Sequence, residues 1–296
     1  MVQPTSHQSV MAREALALLD PQPNLDYLDA TTGGGGHSCL ILNGNAPDGR
    51  LLAIDADADA IERARQQLSR FGQRAVLAHA NFADAPAVAR ESGFDRFDGV
   101  LADLGLSSDQ LADPNRGFAF ASDGPLDMRF DLRQERTAAD YVNDMREKDL
   151  ADLIYRYGDE RDSRRIARAI CQARAKNPIT RTGDLAAVVS GARRRRRRGI
   201  HPATRTFQAL RIAVNRELEN LERFLEGILG IGARGARIVV ISFHSAEDRL
   251  VKLAFRSGQT EGRLTVRTPK PLRPQADELA ANRRARSARL RCAVLN

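Results

Sequence analysis

The feature that most constrains the fold of this chain is a run of four glycines, Gly33 to Gly36. It follows a short apolar segment, Tyr27 to Asp29, that we expect to form a buried strand. Glycine accepts positive φ angles and allows a ligand to approach the backbone closely. A helix predicted to begin at about Ser38 offers unpaired N–H groups to an anionic group just beyond the turn.

A second strand-like run, Arg50 to Asp55, ends in an acid 22 residues after Gly33. About 20 residues separate a nucleotide-binding glycine loop from the carboxylate that binds ribose hydroxyls. The spacing therefore predicts a Rossmann-like site for a ligand that carries a ribose. A glycine-rich surface turn is the alternative, because a glycine motif taken alone is a weak signal.

Asp29, four residues before Gly33, indicates which ribose ligand the loop takes. A carboxylate at this point repels the pyrophosphate of NAD or FAD and attracts a cation. S-adenosylmethionine carries both a sulfonium and an ammonium group. Asp29 therefore favours S-adenosylmethionine over a dinucleotide.

Length and composition set broad limits on the class of protein. A chain of 296 residues with 42% apolar residues forms one or two globular domains. It has no apolar run of about 18 residues and a polar start, so we expect no membrane span and no signal peptide. Three cysteines (Cys39, Cys171 and Cys292) lack metal-type spacing, which indicates reduced cytosolic thiols and no metal site.

The formal net charge of +8 is concentrated in two segments of the chain. Nine arginines and no acid lie between Arg193 and Arg216, and ten Lys/Arg against three Asp/Glu lie between Phe255 and Asn296. Such clustering is typical of a nucleic-acid footprint. The six-arginine run at 193–198 either contacts phosphates or is simply solvated.

Further strands are predicted over residues 75–82, 97–103 and 237–242, with helical segments between them. This alternation indicates βαβ units and a parallel sheet. Residues 263–267 and 287–293 alternate in polarity and are predicted to pair as antiparallel strands. Phe82, at the end of the third strand, either stacks on an adenine ring or packs in the core.

Past Asp103 the pattern changes to loops and then, from Thr137 to about Val189, to helices. One long helix is predicted from the segment at His201 through an apolar stripe that reaches Ile228. We interpret residues 110–210 as an all-helical insertion.

Several motifs occur together in a fixed order along nearly the whole chain. They are Asp29-x-Thr31-x-Gly33-x-Gly35-Gly36-His37-Ser38, Asp55-x-Asp57, the segments 103–110, 116–120 and 123–129, and the segments 201–209 and 242–249. This set resembles the bacterial MraW family of ribosomal RNA small-subunit methyltransferases. An ordered set of this kind is far more specific than any single motif in it.

The resemblance implies an α/β fold, a class I (Rossmann-like) S-adenosylmethionine-dependent methyltransferase with an inserted all-helical substrate-recognition domain. The methyltransferase domain would comprise residues 1–109 and 211–296, and the insertion 110–210 would recognise RNA. The implied activity is methyl transfer to N4 of a cytidine in the decoding region of 16S ribosomal RNA, within the small subunit and in the cytoplasm. The implied cofactor contacts are Gly35, Gly36, His37, Asp55, Phe82, Asp103 and Gln110.

The basic segments and the resemblance together predict RNA contacts. The candidates are Arg116, Arg129, Arg193, Arg195, Arg197, His201, Arg205, Arg283 and Arg286. Phe118 and Phe120, beside the first of these, either stack on bases or pack the insertion against the main domain. The sequence leaves the oligomeric state open and is compatible with a homodimer.

Asp103 is the first candidate for a catalytic role. Many amino-methyltransferases carry a polar residue followed by Pro-Pro-aromatic at the end of the fourth strand, whereas this chain has Asp103-Leu104-Gly105-Leu106. We expect Asp103 to contact either the target amino group or the cofactor. His201, Asn215 and His244 are weaker candidates, each equally open to a structural interpretation.

Overall fold

The computed structural model describes residues 9–192 and 201–296, and the chain divides into two compact units. The first unit comprises the chain up to Ser107 together with Leu218–Asn296, and the second comprises Ser108–Glu217. The six-arginine run, and with it the candidates Arg193, Arg195 and Arg197, lies outside the described residues.

A seven-stranded sheet forms the centre of the first unit. Its strands are β1 (Tyr27–Asp29), β2 (Leu51–Asp55), β3 (Ala75–His79), β4 (Phe97–Asp103), β5 (Gly232–Ser242), β6 (Leu264–Val266) and β7 (Arg289–Leu295). The order across the sheet is β3-β2-β1-β4-β5-β7-β6. All neighbours pair in parallel except those of β7, which runs antiparallel to both β5 and β6.

This order is that of a Rossmann-like, class I methyltransferase fold. Strand order reverses at β1, because β2 lies on one side of β1 and β4 on the other. In open parallel sheets the crevice at the carboxyl ends of the strands around such a reversal is where ligands bind. The predicted parallel sheet and the predicted antiparallel pairing of the last two strands are both confirmed.

The central strands of the sheet are buried on both faces, as their nearly continuous apolar residues require. The helices of this unit are α1 (Ala12–Leu19), α2 (Gly36–Gly44), α3 (Ala58–Leu68), α4 (Ala85–Glu91), α11 (Glu217–Ile231), α12 (Ser245–Thr260) and α13 (Ala276–Ala281). In β5, Ile238 and Val240 join the core formed with α11 and α12, while Val239 and Ile241 join the core formed with α1 and α2. The two faces therefore hold two separate apolar cores.

The second unit consists of helices and of a long irregular segment over residues 117–137, and its described residues form no strand apart from an isolated bridge between Pro125 and Arg181. Its helices are α5 (Ser108–Ala112), α6 (Ala138–Asp144), α7 (Glu147–Gly158), α8 (Ser163–Arg174), α9 (Thr182–Ala192) and α10 (Thr204–Val214). Helix α7 packs against α8 and α10. Gly158 permits one close approach, since a Cβ there would lie 2.4 Å from the carbonyl oxygen of Arg205.

The predicted single long helix after His201 is wrong, because the chain forms α10 and α11 with a break at Asn215 and Arg216. Arg216 adopts a left-handed φ of 50°, which no α-helix accommodates. The apolar repeat continues across the break, so helical spacing alone did not reveal it. Two smaller differences are that α2 begins at Gly36 and that β3 ends at His79, before Phe82.

Among the described residues, no helix combines the length and the apolar character that crossing a membrane requires.

Candidate active site

The glycine loop joins the carboxyl end of β1 to the first turn of α2. Gly33 and Gly35 have φ angles of 52° and 85°, which lie in the left-handed region. The hydrogen bond from Gly35 N–H to the carbonyl of Thr32 (2.8 Å) tightens the turn. A Cβ on Gly36 would lie 2.1 Å from Ser9 Oγ, so a larger residue at this position would have to displace that hydroxyl. The loop thus brings bare backbone and the N-terminus of α2 to the ligand-binding edge of the sheet.

Asp55, at the carboxyl end of β2, holds the loop in place. Its Oδ2 accepts a hydrogen bond from Gly33 N–H (2.8 Å), and its Oδ1 accepts one from Asp57 N–H (2.9 Å). Burial raises the pKa of Asp55 to about 6, although the two backbone hydrogen bonds act in the opposite direction. The carboxylate therefore lies beside the loop, with lone pairs left over for ribose hydroxyls.

Asp29, at the end of β1, is fully buried rather than open to a ligand. Its Oδ2 accepts from Ser38 Oγ (2.6 Å) and its Oδ1 accepts from Thr31 N–H (3.2 Å). Burial raises the pKa of Asp29, and the hydrogen bond from Ser38 offsets part of that rise. Asp29 therefore stabilises the loop by hydrogen bonds. Because it is buried, it acts on a ligand electrostatically and not by direct contact.

Asp103 ends β4 next to the glycine loop. Its N–H donates to Thr31 Oγ1 (2.6 Å), and its Oδ2 lies 3.5 Å from His37 Nε2. Asp103 Oδ1 and His37 Nε2 are buried without a hydrogen-bond partner among the described residues. Burial by itself would lower the pKa of His37, but the nearby carboxylates of Asp103 and Asp29 outweigh it and raise that pKa. The first turn of α2 thus places a histidine between two acids.

These contacts define a site of acidic character at the carboxyl edge of the sheet. The carboxylates of Asp29 and Asp103 lie beside the first turn of α2, which follows the glycine loop. The carboxylate of Asp55 binds Gly33 N–H at the start of that loop. The unpartnered Asp103 Oδ1 is available to accept a hydrogen bond. This donor and acceptor set suits a ligand that carries hydroxyls and positive charge.

The sequence analysis placed Thr31 and Ser38 in the glycine-loop motif without giving either a binding role, yet they connect the acids of the site. Thr31 Oγ1 anchors Asp103 to the loop, and Ser38 Oγ anchors Asp29 to α2. Their positions carried a usable signal, because small hydroxyl side chains next to a strand end and a helix start commonly hydrogen-bond to neighbouring backbone or acids.

Phe82 and Gln110, the remaining predicted cofactor contacts, lie in different parts of the chain. Phe82 is partly buried in a short turn beyond β3, and its ring meets Phe224 edge-on at 5.3 Å between centroids. Gln110 is buried in α5, which belongs to the helical unit. Phe82 therefore packs against the core, and adenine stacking by Phe82 stays a prediction.

Two of the predicted RNA contacts have structural roles inside the helical unit. Arg116 is only 7% exposed, and its guanidinium donates to the carbonyls of Arg129 and Phe130. Arg129 forms a bidentate pair with Asp127 and donates to two further carbonyls. These bonds occupy both guanidinium groups, which argues against direct phosphate contact by either arginine.

The aromatic residues beside Arg116 also pack within the unit. The Phe118 ring is buried and stacks on Phe130 at 5.3 Å between centroids. Phe120 is partly exposed and stacks on the ring of His201 at 4.3 Å, so His201 is held against an aromatic surface. Phe118 therefore packs on a residue of its own unit, which neither of the two sequence interpretations stated.

The other candidate RNA-binding arginines differ in how exposed their side chains are. Arg205 is partly buried and bonds the carbonyl of Asp159. The Arg286 side chain is exposed, and Arg283 lies beside it in a short helical turn, although its side chain is outside the described part. Arg286 is therefore the predicted contact with the most accessible guanidinium among those described.

Asn215 and His244 have structural contacts rather than open functional groups. Asn215 Oδ1 accepts from Phe130 N–H (2.7 Å), and its Nδ2 donates to the carbonyl of Met128 (2.7 Å). His244 caps α12, since its Nδ1 accepts from Glu247 N–H (3.3 Å) in a reciprocal capping box. These contacts favour the structural interpretation for both residues.

Comparison with known proteins decides the family. The family model described as the MraW methylase family matches residues 4–295. The chain belongs to this family. It is therefore a methyltransferase, as the motifs predicted.

Members of the MraW family resemble the chain over nearly its whole length. A protein named ribosomal RNA small subunit methyltransferase H from Syntrophobacter fumaroxidans is 50% identical, over 96% of this chain and 95% of its own. A protein of the same name from Cyanothece sp. is 51% identical, over 97% of this chain and 94% of its own. Among solved structures, an O-methyltransferase from Bacillus cereus in complex with SAH matches 99% of this chain and 84% of its own, with 9% identity and a TM-score of 0.49.

Proposed function

We propose that this methyltransferase transfers a methyl group from S-adenosylmethionine to N4 of a cytidine in the decoding region of 16S ribosomal RNA. The substrate is the RNA within the small ribosomal subunit, and the location is the cytoplasm. The single observation that carries the cofactor part is the bond from Gly33 N–H to Asp55 at the carboxyl edge of the sheet. The names of the relatives support the RNA part, and the motif resemblance supports the choice of N4.

The residues of the site fit S-adenosylmethionine. The first turn of α2, with Gly35, Gly36 and His37, offers N–H groups to the carboxylate of the methionine portion. Asp55 accepts from the ribose hydroxyls. The acidic pair Asp29 and Asp103 favours the ammonium and sulfonium groups. Phe82 contributes a ring for the adenine, and Gln110 from the helical unit is the last predicted contact.

When bound, S-adenosylmethionine supplies an electrophilic methyl group, and the protein has to make a poor nucleophile react with it. The lone pair of the cytosine amino nitrogen is delocalised into the ring. Asp103 Oδ1 accepts a hydrogen bond from this amino group and holds the nitrogen lone pair towards the methyl. The backbone bond to Thr31 fixes Asp103 in that position. The amino proton leaves to water, so no separate general base is required.

Base recognition requires an exposed cytidine, because an amino group inside a base pair is not accessible to the site. We assign RNA recognition to the helical insertion, residues 110–210, and to the basic C-terminal segment. Within these regions His201, Arg205, Arg283 and Arg286 remain proposed contacts, as do Arg193, Arg195 and Arg197. Arg116 and Arg129 are not retained.

The test is a transfer assay with methyl-labelled S-adenosylmethionine and four acceptors: free 16S ribosomal RNA, small subunits that lack the modification, a mixed protein extract and DNA. We expect label on the RNA, with small subunits the better acceptor. Label on protein or DNA, with none on RNA, would overturn the proposed substrate. A binding titration with NAD serves as a specificity control and should show no heat.

A further inference from the structure

A basic face follows helix α12 away from the active-site edge of the sheet. Helix α12 begins at Ser245, three residues after the end of β5. Asp103 and Ile241 are register partners in the sheet, so the N-terminus of α12 lies at the same edge as Asp103. From there the helix extends for 16 residues, about 24 Å at 1.5 Å per residue.

Three cations lie along one side of this helix: Arg249, Lys252 and Arg256. Their spacing of three and four residues places them on one face. Arg249 and Arg256 are exposed and Lys252 is partly exposed. None of the three has an ion pair with an acid in the part of the chain that the structure describes. The face they form is called the α12 basic face below, and it carries three positive charges.

A cavity of about 310 Å³ opens next to this face. Lys252, Phe255, Arg256 and Gln259 of α12 form one side, and Val266, Pro269 and Arg291 form the other. The apolar floor is supplied by Phe255, which is only 3% exposed. The cavity is thus a pocket with an apolar floor and a cationic rim.

The acids near the cavity are already engaged. Asp248 binds Arg291 through Oδ1 (2.7 Å) and Arg289 through Oδ2 (3.2 Å), so one negative charge faces two positive charges. Glu247 is buried and accepts from the N–H groups of Phe243 and His244. Neither acid neutralises the α12 basic face, and the electrostatic character of the surface stays positive.

We infer that the α12 basic face binds the phosphodiester backbone of the RNA strand that enters or leaves the active site. The seven helical steps from Arg249 to Arg256 span about 10 Å, which corresponds to roughly three nucleotides at 3.4 Å per nucleotide. Phosphate contacts of this kind position a strand without reading its sequence. The inference deepens the proposed function and rests on RNA being the substrate.

The test compares two triple variants of the full-length protein. The first is Arg249→Gln, Lys252→Gln and Arg256→Gln. The matched control is Arg70→Gln, Arg90→Gln and Arg234→Gln, which removes three exposed arginines near the amino ends of β3, β4 and β5, the opposite edge of the sheet. Both remove the same charge. The probe is a fluorescent single-stranded RNA with the decoding-region sequence, titrated at several salt concentrations.

We expect the α12 variant to bind this RNA at least tenfold more weakly than the wild type at low salt. Its slope of log affinity against log salt should be smaller by about two, since each phosphate contact on a single strand contributes about 0.7. The control variant should keep the wild-type affinity and slope. Affinity for S-adenosylmethionine, measured by calorimetry, should be unchanged in both variants and shows that each is folded.

Two other outcomes overturn the inference and are distinguishable. If the wild type binds and methylates RNA while the α12 variant binds like the wild type, or no worse than the control, only the α12 basic face is wrong. If the wild type neither binds the RNA nor transfers methyl to it, the proposed function itself fails and the inference fails with it.

Discussion

Gly33 donates its backbone N–H to Oδ2 of Asp55 at 2.8 Å, across 22 residues of sequence. This bond joins the turn after β1 to the end of β2. It ties the glycine loop to the carboxylate that we propose binds the ribose of the cofactor. Most predictions about the cofactor site follow from this pair.

Removing the Asp55 carboxylate should weaken S-adenosylmethionine binding by about 10- to 100-fold in Asp55→Ala. Hydrogen bonds to a charged group contribute roughly 1.5–3 kcal/mol, and 1.4 kcal/mol corresponds to a tenfold change. Isothermal titration calorimetry measures the change directly. Asp59→Ala, at an exposed position in the first turn of α3, is the control and should bind normally. Unchanged affinity in Asp55→Ala would remove the ribose assignment.

Cofactor affinity should fall with pH between 7 and 5, because burial raises the pKa of Asp55 to about 6. Only the ionised carboxylate accepts from both ribose hydroxyls. A group with this pKa is about one-tenth ionised at pH 5, so affinity should drop roughly tenfold over that range. In Asp55→Asn the dissociation constant should vary much less with pH. Parallel pH profiles for the two proteins would contradict the assignment.

The ligand-free protein should respond to pH with the opposite sign at this residue. A folded-state pKa above the ordinary value of 3.8 means that folding favours the protonated carboxyl. The contribution of Asp55 to the free energy of unfolding is therefore fully present below about pH 4 and is lost as the pH rises through about 6. Melting temperatures of the wild type and of Asp55→Asn, compared from pH 4 to 8, test this. The melting temperature of the wild type should fall relative to that of the variant as the pH rises.

Asp103→Asn should reduce methyl transfer by about 100-fold, because misplacement of a reacting group by even 1 Å has an effect of this size. The side chain keeps its volume but loses its charge, so S-adenosylmethionine affinity should also fall, by less than the fall in the rate at saturating cofactor. Single-turnover assays with saturating cofactor measure the step. A lower cofactor affinity with an unchanged rate at saturating cofactor would make Asp103 a cofactor contact only, and an unchanged affinity together with an unchanged rate would exclude it from both roles.

Asn215→Ala should destabilise the helical unit by about 2–4 kcal/mol. The substitution leaves the N–H of Phe130 and the carbonyl of Met128 without their partner, and each buried group left unsatisfied costs roughly 1–3 kcal/mol. Asn215→Asp keeps the acceptor for Phe130 and should show a smaller loss. Thermal and urea unfolding of the full chain measure both variants, and equal stability of Asn215→Ala and wild type would contradict the structural role.

The sequence was sufficient for the parts of the fold that depend on local pattern. The alternation of apolar strands with helices predicted the parallel sheet, and the distance from Gly33 to Asp55 predicted that the loop and the acid would meet. These features are readable because strand periodicity and glycine's φ range are properties of single residues and their neighbours.

The features that sequence reasoning missed depend on tertiary contacts. Arg116 is an arginine in a basic, turn-rich segment, and nothing local distinguishes it from a surface cation, yet it is buried against backbone carbonyls. The helix break at Arg216 lies inside an unbroken apolar repeat and is held by the bonds of Asn215 to residues more than 80 positions away. Thr31 gains its importance only because Asp103 arrives beside it from another strand.

The most direct test of the central claim is the position of the methyl group. Small subunits from cells that lack this enzyme are incubated with the purified protein and labelled S-adenosylmethionine, and the 16S ribosomal RNA is digested and mapped by mass spectrometry. We predict a single modified nucleoside, a cytidine of the decoding region that carries the label on N4. Label on the ribose, on the ring carbon C5, or on a nucleotide outside the decoding region would contradict the account.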